Sequence, residues 1–282
     1  MDAVVAGTAA QHVAALSYRD ACLLGAVQGL TEFLPVSSDG HLAILQYFLT
    51  PLPAEQKLAI TVALHLGTLV AVLVYFRRDL IEMTWQLLDS TRSGYLRSWA
   101  WLIIAGTIPA GIFGLTLKDW VEAALDSLFV IGLCFLFTGV LLYVASRSRE
   151  AELGEADLGL RDALAIGVMQ SLALLPGVSR SGMTISTGVL RHFRPEVATR
   201  FSFLLGIPAI GGALVLEGKD VAGLDPAVRL PLALGVVVAF ITGLAAIALL
   251  LRVVRTGKLQ YFAYYCWILG VLIAAASLLG VV

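Results

Sequence analysis

The chain is expected to be an all-α integral membrane protein, an inverted-topology repeat with three transmembrane helices and one re-entrant helical hairpin in each half. Three observations predict this. Apolar residues make up 59% of the 282 positions and charged residues only 14%, with a mean hydropathy of +0.89, which leaves too little polar surface for a water-soluble domain of this length. Six stretches, at 58–76, 99–117, 127–145, 200–216, 230–251 and 261–281, are long and apolar enough to cross a hydrocarbon core that needs about 20 helical residues. Finally, Gly25, Gln28, Leu30, Val36, Ser37 and Gly40 recur as Gly167, Gln170, Leu172, Val178, Ser179 and Gly182 at a constant offset of 142 residues, close to half the chain. The whole chain, 1–282, then forms a single membrane domain, with one repeat over about 20–146 and the other over about 162–282.

Along the chain, the first eighteen residues lack the basic and continuous apolar regions of a signal peptide, and His12 among them reads as a surface residue. The arm from Ala21 to Leu34 supplies only about 21 Å of helix, short of a core of roughly 30 Å. Pro35 to Gly40 breaks the chain and a second arm runs from about His41 to Leu49, so this region reads as a hairpin that enters and leaves by one face. Three spans follow. The acidic run Glu150, Glu152, Glu155 and Asp157 is a solvated connection, and a second broken hairpin around Pro176 to Thr184 precedes the last three spans. Cys22, Cys134 and Cys266 stand singly in apolar runs and read as small buried hydrophobes.

Loop charge supports this layout. With re-entrant hairpins, the loops at 77–98, 146–162, 191–200 and 252–260 share one side and hold thirteen of the nineteen basic residues, from Arg77 to Lys258. The positive-inside rule places that side in the cytoplasm and both termini outside. Full crossings by the motif regions would scramble the asymmetry. An odd number of crossings per repeat inverts the second copy, so that the two breaks can meet near the midplane. A net charge of −1 with scattered basic residues gives no nucleic-acid footprint.

The breaks themselves concentrate chemistry. Gln28 and Glu32 are four apart and share a helix face. A carboxylate in lipid must be protonated, paired or bound to a cation, and Arg180 is the obvious opposite charge, as a functional or a purely structural partner. The run Ser37-Ser38-Asp39-Gly40 supplies N-cap chemistry for one arm and Ser179-Arg180-Ser181-Gly182 for the arm containing Thr184. Two half-helix N-termini with their amides and positive dipole ends then favour an anion, and Arg180 can grip phosphate oxygens in bidentate fashion. Hydroxyls of Ser38, Ser179, Ser181 and Thr184 add hydrogen bonds or serve as plain caps. His41 sits at the mouth of this pocket as a candidate acid or base, while His65 and His192 read as packing and loop residues. Ser38 is a candidate nucleophile, with His41 or Glu32 taking its proton.

These residues resemble the family of bacterial undecaprenyl-diphosphatases, integral-membrane lipid pyrophosphate phosphatases also called bacitracin resistance proteins. The likeness lies in Gln28 to Glu32 as [Glu/Gln]-x-x-x-Glu, in Pro35 to His41 as Pro-Val-Ser-Ser-x-Gly-His, and in Pro176 to Thr184 as Pro-Gly-x-Ser-Arg-Ser-x-x-Thr. It implies hydrolysis of undecaprenyl diphosphate to the monophosphate in the bacterial plasma membrane, recycling the lipid carrier of peptidoglycan synthesis, with a divalent cation, Mg²⁺ or Ca²⁺, and leaves room for a homodimer. Gln28 fills a slot that is often Glu and Asp39 one that is often Thr or Ser, so Glu32 would coordinate the ion with Asp39 or with substrate oxygens. On this expectation Glu32, Ser38, His41 and Arg180 are catalytic, and Gln28, Ser37, Ser179, Arg180, Ser181 and Thr184 bind substrate. The attacking group is Ser38, His41 or water, and the site opens to the outer face. The other class to weigh is a polyprenyl-phosphate transporter or flippase, because inverted repeats with broken midplane helices are common in carriers. A phosphatidic-acid type of phosphatase is disfavoured, since no His follows Ser179-Arg180 at six residues and position 186 is Ser.

Overall fold

Ser17 and Pro35 delimit the first helix. The computed structural model describes residues 16–49, 54–89, 91, 94–117, 124, 127–148 and 152–281. The Ser17 side chain accepts from the Asp20 amide and caps α1, Tyr18–Phe33. Leu34 is extended because the residue before a proline is pushed out of the helical region. After Pro35 the chain re-enters helix as α2, Ser38–Leu49. Then come α3, Ala54–Tyr75, α4, Arg77–Leu88, α5, Tyr95–Thr116, and α6, Leu128–Ser146. The second half supplies α7, Leu160–Leu172, α8, Arg180–Leu190, α9, Pro195–Leu216, the short α10, Gly218–Ala222, α11, Pro226–Val254, and α12, Gln260–Leu278. Among the described residues there is no strand, only an isolated bridge between Leu153 and Phe193. His12, Arg92, Lys118, Arg149 and Glu150 lie outside the described residues.

Six of these helices, α3, α5, α6, α9, α11 and α12, are long and apolar enough to cross a membrane, and they match the six stretches read from the sequence. The ends of α11 differ most, because Asp225 caps it and Pro226 opens it, extending the helix to 29 residues. One element departs from expectation: 77–88 is helix, not loop. Its polar face is tied to its neighbours, with Asp79 paired to Arg200 and Gln86 Oε1 accepting from the Arg97 amide at 3.0 Å.

In the membrane, close packing rests on small residues that let backbones approach. α1 lies along α11 with Gly25 against Gly235, where a Cβ on Gly25 would sit 2.8 Å from a backbone carbon. α7 lies along α5 in the corresponding way, with Gly167 against Gly106 and the same Cβ reaching 2.9 Å. Thus the first helix of each half packs on a long helix of the other half. α6 pairs with α12 through Gly132 and Gly270.

The short helices α1, α2, α7 and α8 return to the end from which they came. The start of α1 and the end of α2 share one apolar cluster, Leu16, Leu24, Leu45 and Leu49 with Ile60 and Val228. At the other end an ion pair joins Asp162 in the first turn of α7 to Arg191 just past α8. Basic loops gather at this second end: Arg194 pairs with Glu155 at 2.9 Å, Trp99 donates to the Glu155 carbonyl at 2.9 Å, and Arg200 bonds Asp79 and Tyr95. Val254 and Leu259, which flank the last basic turn, belong to the same apolar cluster as Met83 and Leu96.

Candidate active site

The breaks of the two hairpins touch at the centre of the bundle. Between α1 and α2 the chain turns through Ser37, which adopts a left-handed φ of +67°, a conformation that a non-glycine residue holds only when its surroundings over-determine it. Between α7 and α8 the corresponding freedom comes from Gly177, φ +93°. The Gly177 amide donates to Ser37 Oγ at 3.1 Å, and Ser181 Oγ donates to the Leu34 carbonyl at 3.1 Å. Thr138 on α6 completes the seam by donating to the Gly177 carbonyl and accepting from the Ser179 amide, each at 3.1 Å. Approach is so close that a Cβ on Gly40 would lie 2.9 Å from Gly177 Cα.

Glu32, buried in the last turn of α1, stands at the focus. Its Oε1 accepts from Arg180 Nη2 at 2.6 Å, across from the other half of the chain. Its Oε2 accepts from Ser38 Oγ at 2.6 Å and from Gln28 Nε2 at 3.1 Å. His65 Nε2 on α3 lies 3.3 Å from the same oxygen and 3.7 Å from Asp39 Oδ1, while its Nδ1 is 2.8 Å from the Thr61 carbonyl. A buried carboxylate would be costly without such partners, and here its lone pairs are met on both oxygens.

Arg180 is itself positioned. Its Nη1 donates to the Ser202 carbonyl at 3.3 Å, and the guanidinium packs against Gly206, where a Cβ would come within 2.7 Å of the central carbon. A guanidinium has more N–H donors than these bonds use, so it can serve Glu32 and a phosphate together. Ser38 and Arg180 each open a helix, and the first amides of α2 and α8 have no intrahelical acceptor.

The structure gathers Gln28, Glu32, Ser38, Asp39 and Arg180 and sorts the remaining expected site residues differently. Ser37 and Ser179 are caps: Ser37 Oγ accepts from the Gly40 amide at 3.3 Å and Ser179 Oγ from the Gly182 amide at 3.0 Å. Ser181 closes the seam, and Thr184 Oγ donates to the Arg180 carbonyl at 2.8 Å and meets Ser202 Oγ at 2.5 Å. These four hydroxyls, expected to bind substrate, are bound to the protein's own frame. His41, expected beside Ser38, turns away: its Nδ1 is 2.6 Å from the Ser37 carbonyl and its Nε2 is 2.6 Å from the Tyr265 hydroxyl. Of the two bases weighed for Ser38, the one in contact is Glu32.

His65 corrects the reading made of it. The sequence predicts a packing residue, whereas in the structure it bridges the two carboxylates of the first hairpin. The available signal was its position: an ionisable side chain inside the apolar α3 is a functional-site hypothesis by default.

Among the described residues no group of three or more His, Cys, Asp or Glu side chains stands ready to hold a metal ion. The oxygen donors present are nonetheless those a hard cation prefers. Asp39 has a side chain 41% exposed, and Gln28 Oε1 is buried with no hydrogen-bond partner. These two oxygens fit an ion whose shell is completed by phosphate oxygens, which Glu32 could join only by releasing one of its present partners, and they do not fit a cage built from protein alone.

A family model described as bacitracin resistance protein BacA matches residues 21–272. Curated relatives are similar over nearly their whole length. An undecaprenyl-diphosphatase of Rubrobacter xylanophilus is 43% identical over 94% of this chain and 100% of its own. One from Alkaliphilus metalliredigens is 41% identical over 92% and 98%, and one from Methanosphaera stadtmanae 38% identical over 91% and 97%.

Proposed function

The chain belongs to the bacitracin resistance protein BacA family, and we infer from this that it is an undecaprenyl-diphosphatase, a membrane hydrolase that converts undecaprenyl diphosphate to undecaprenyl phosphate and inorganic phosphate. It thereby returns the lipid carrier to peptidoglycan synthesis and confers bacitracin resistance. Transport, the other class weighed from the sequence, is not favoured by these relatives.

The observation that carries the chemistry is the short Ser38–Glu32–Arg180 chain of hydrogen bonds. Ser38 Oγ attacks the terminal phosphorus while Glu32, already its acceptor, takes the proton. A bond forms between Ser38 Oγ and phosphorus, the bond from phosphorus to the bridging oxygen breaks, and the lipid monophosphate leaves. The proton passes from Glu32 to the departing monophosphate; the restored carboxylate then takes a proton from water as its oxygen attacks phosphorus, the bond from phosphorus to Ser38 Oγ breaks, and that proton returns to Ser38 Oγ. Protonation of Glu32 weakens its hold on Arg180 at the moment when the phosphoryl oxygens gain charge, so that the guanidinium shifts toward them. The opening amides of α2 add donors. Asp39, Glu32 and Gln28 Oε1 would hold a Mg²⁺ or Ca²⁺ ion arriving with the diphosphate. Such an ion, when bound, neutralises charge on the phosphate oxygens and offsets the repulsion of Asp39.

The two halves are read as inverted repeats over about 20–146 and 162–282, supported by the exchanged packing of α1 on α11 and α7 on α5. The gathering of basic loops beside the α7–α8 hairpin supports a cytoplasmic assignment for that end in the plasma membrane. The α1–α2 hairpin then dips from the outer side, and the phosphate site opens outward.

Two experiments test this reading. Purified protein in detergent should release phosphate from undecaprenyl diphosphate, and a pure carrier would release none. Asp39→Cys, with Cys22, Cys134 and Cys266 replaced, should react with an impermeant thiol reagent on intact cells, whereas Arg255→Cys should react only after permeabilisation. The reverse pattern would sink the outward-facing site.

A further inference from the structure

We propose that a lateral cleft between α2 and α12 receives the first isoprene units of the substrate's chain. This rests on the hydrolase function above and names where the apolar part of its substrate lies. The cleft has a volume of about 200 Å³ and is lined by Ile44, Leu45, Phe48 and Leu269, with His41 and Tyr265 at its polar end. It opens at the outer surface of the bundle, where Phe48 and Tyr265 are exposed. In a bilayer that opening faces hydrocarbon.

Continuity with the phosphate cluster selects the occupant. His41 and Tyr265 stack with ring centres 5.6 Å apart and share a 2.6 Å hydrogen bond. The other His41 nitrogen bonds the Ser37 carbonyl at 2.6 Å, so the polar end of the cleft is joined to the break that presents Ser38. On α1, Val27 lines the cleft and the next residue, Gln28, belongs to the cluster. A ligand with a diphosphate head at Glu32, Ser38 and Arg180 and an apolar chain passes from polar to apolar surroundings along this line. At this size, below the roughly 300–1,000 Å³ of clefts that enclose a drug-sized ligand, the cleft grips only the start of a polyprenyl chain. The remainder stays in the bilayer, which accommodates it without a dedicated groove.

Photo-crosslinking of the unmodified protein tests the placement. An isoprenoid diphosphate with a photoreactive group early in its chain should label peptides of α2 and α12, and undecaprenyl diphosphate should suppress the labelling where phosphatidylglycerol does not. Equal suppression by phosphatidylglycerol would make the cleft a site for ordinary acyl chains, and labelling confined to α5 and α7 would place the chain elsewhere. Either overturns the proposal. Leu269→Trp, which fills the cleft, should raise KM for undecaprenyl diphosphate about tenfold and leave kcat within a factor of about two, the pattern of lost uniform binding. A fall in kcat at unchanged KM, or no change in either, counts against it. Absence of phosphate release from the parent protein would overturn the function itself, whereas normal release with the wrong labelling removes only the cleft assignment.

Discussion

At the first break Ser37 caps α2 through the Gly40 amide, and at the second, 142 residues on, Ser179 caps α8 through the Gly182 amide. The frame is thus the same in both. The chemistry placed on it is not. Glu32 has Leu174 at its equivalent position, Ser38 has Arg180, and Asp39 has Ser181. Gln28 and Gln170 are retained in both, yet Gln28 bonds Glu32 while both polar atoms of Gln170 are buried without a partner. One break keeps acid and hydroxyl and the other keeps the cation, so neither copy is a site alone. Segregation has an electrostatic consequence, because the fixed positive charge of Arg180 meets Glu32 only when the two breaks come together across the seam.

The largest effects should come from breaking that division of labour. Glu32→Gln removes the proton acceptor of Ser38 and should lower kcat by about 10²–10⁴. Arg180→Lys keeps the charge that balances Glu32 and loses the planar fork, so kcat should fall about 10²–10³ while the protein remains folded. Turnover near that of the parent in Arg180→Lys would make the residue a counter-ion only. Phosphate-release kinetics alongside thermal melts separate the two.

A smaller loss is expected where the acidic break is merely held in place. His65→Leu unties Glu32 from Asp39 and should reduce kcat by up to about 100-fold. His65→Gln, which can still donate to a carboxylate, should recover part of it. Equal loss in both variants, tracking a drop in melting temperature, would assign His65 to stability alone.

The smallest effect sharpens the comparison from its silent side. Gln170→Leu replaces a buried amide that makes no hydrogen bond and should leave the melting temperature unchanged or raise it, by up to about 1–3 kcal/mol in stability. Gln28→Leu should lower activity because a donor to Glu32 is lost. A destabilised Gln170→Leu would reveal a bond on that side that the pairing with Gln28 does not suggest.

Much of this was legible in one dimension. Span positions follow from composition, since lipid demands a run of apolar residues whatever the neighbours are. The helix breaks after Phe33 and Leu172 follow from Pro and Gly set inside short apolar arms. The helix α4 was not legible, because Arg77, Arg78 and Asp79 resemble a solvated loop until Arg200, 121 residues away, pairs with Asp79. Nor was the orientation of His41, whose partner Tyr265 is 224 residues distant. The seam serines were ambiguous for a related reason: a hydroxyl that caps a helix and one that greets a phosphate look identical in sequence. Family likeness pointed to the cluster, and only geometry separated the groups that meet at Glu32 from those bound to the frame.

The bond from Arg180 to Glu32 spans 148 residues, and that separation governs how the protein is made. At a synthesis rate of about 5–20 residues per second, on the order of ten seconds pass between the ribosome's delivery of the acid and of its partner. During that interval the first hairpin has His65 to share between Glu32 and Asp39 but lacks the fixed charge of Arg180, which leaves its acids better served by water at the membrane surface. Its insertion is therefore expected to wait for the second half, so that a nascent chain interrupted midway offers no competent half-enzyme to the lipid pool. Placing acid and cation on different halves makes completion of the chain the condition for its first catalytic act.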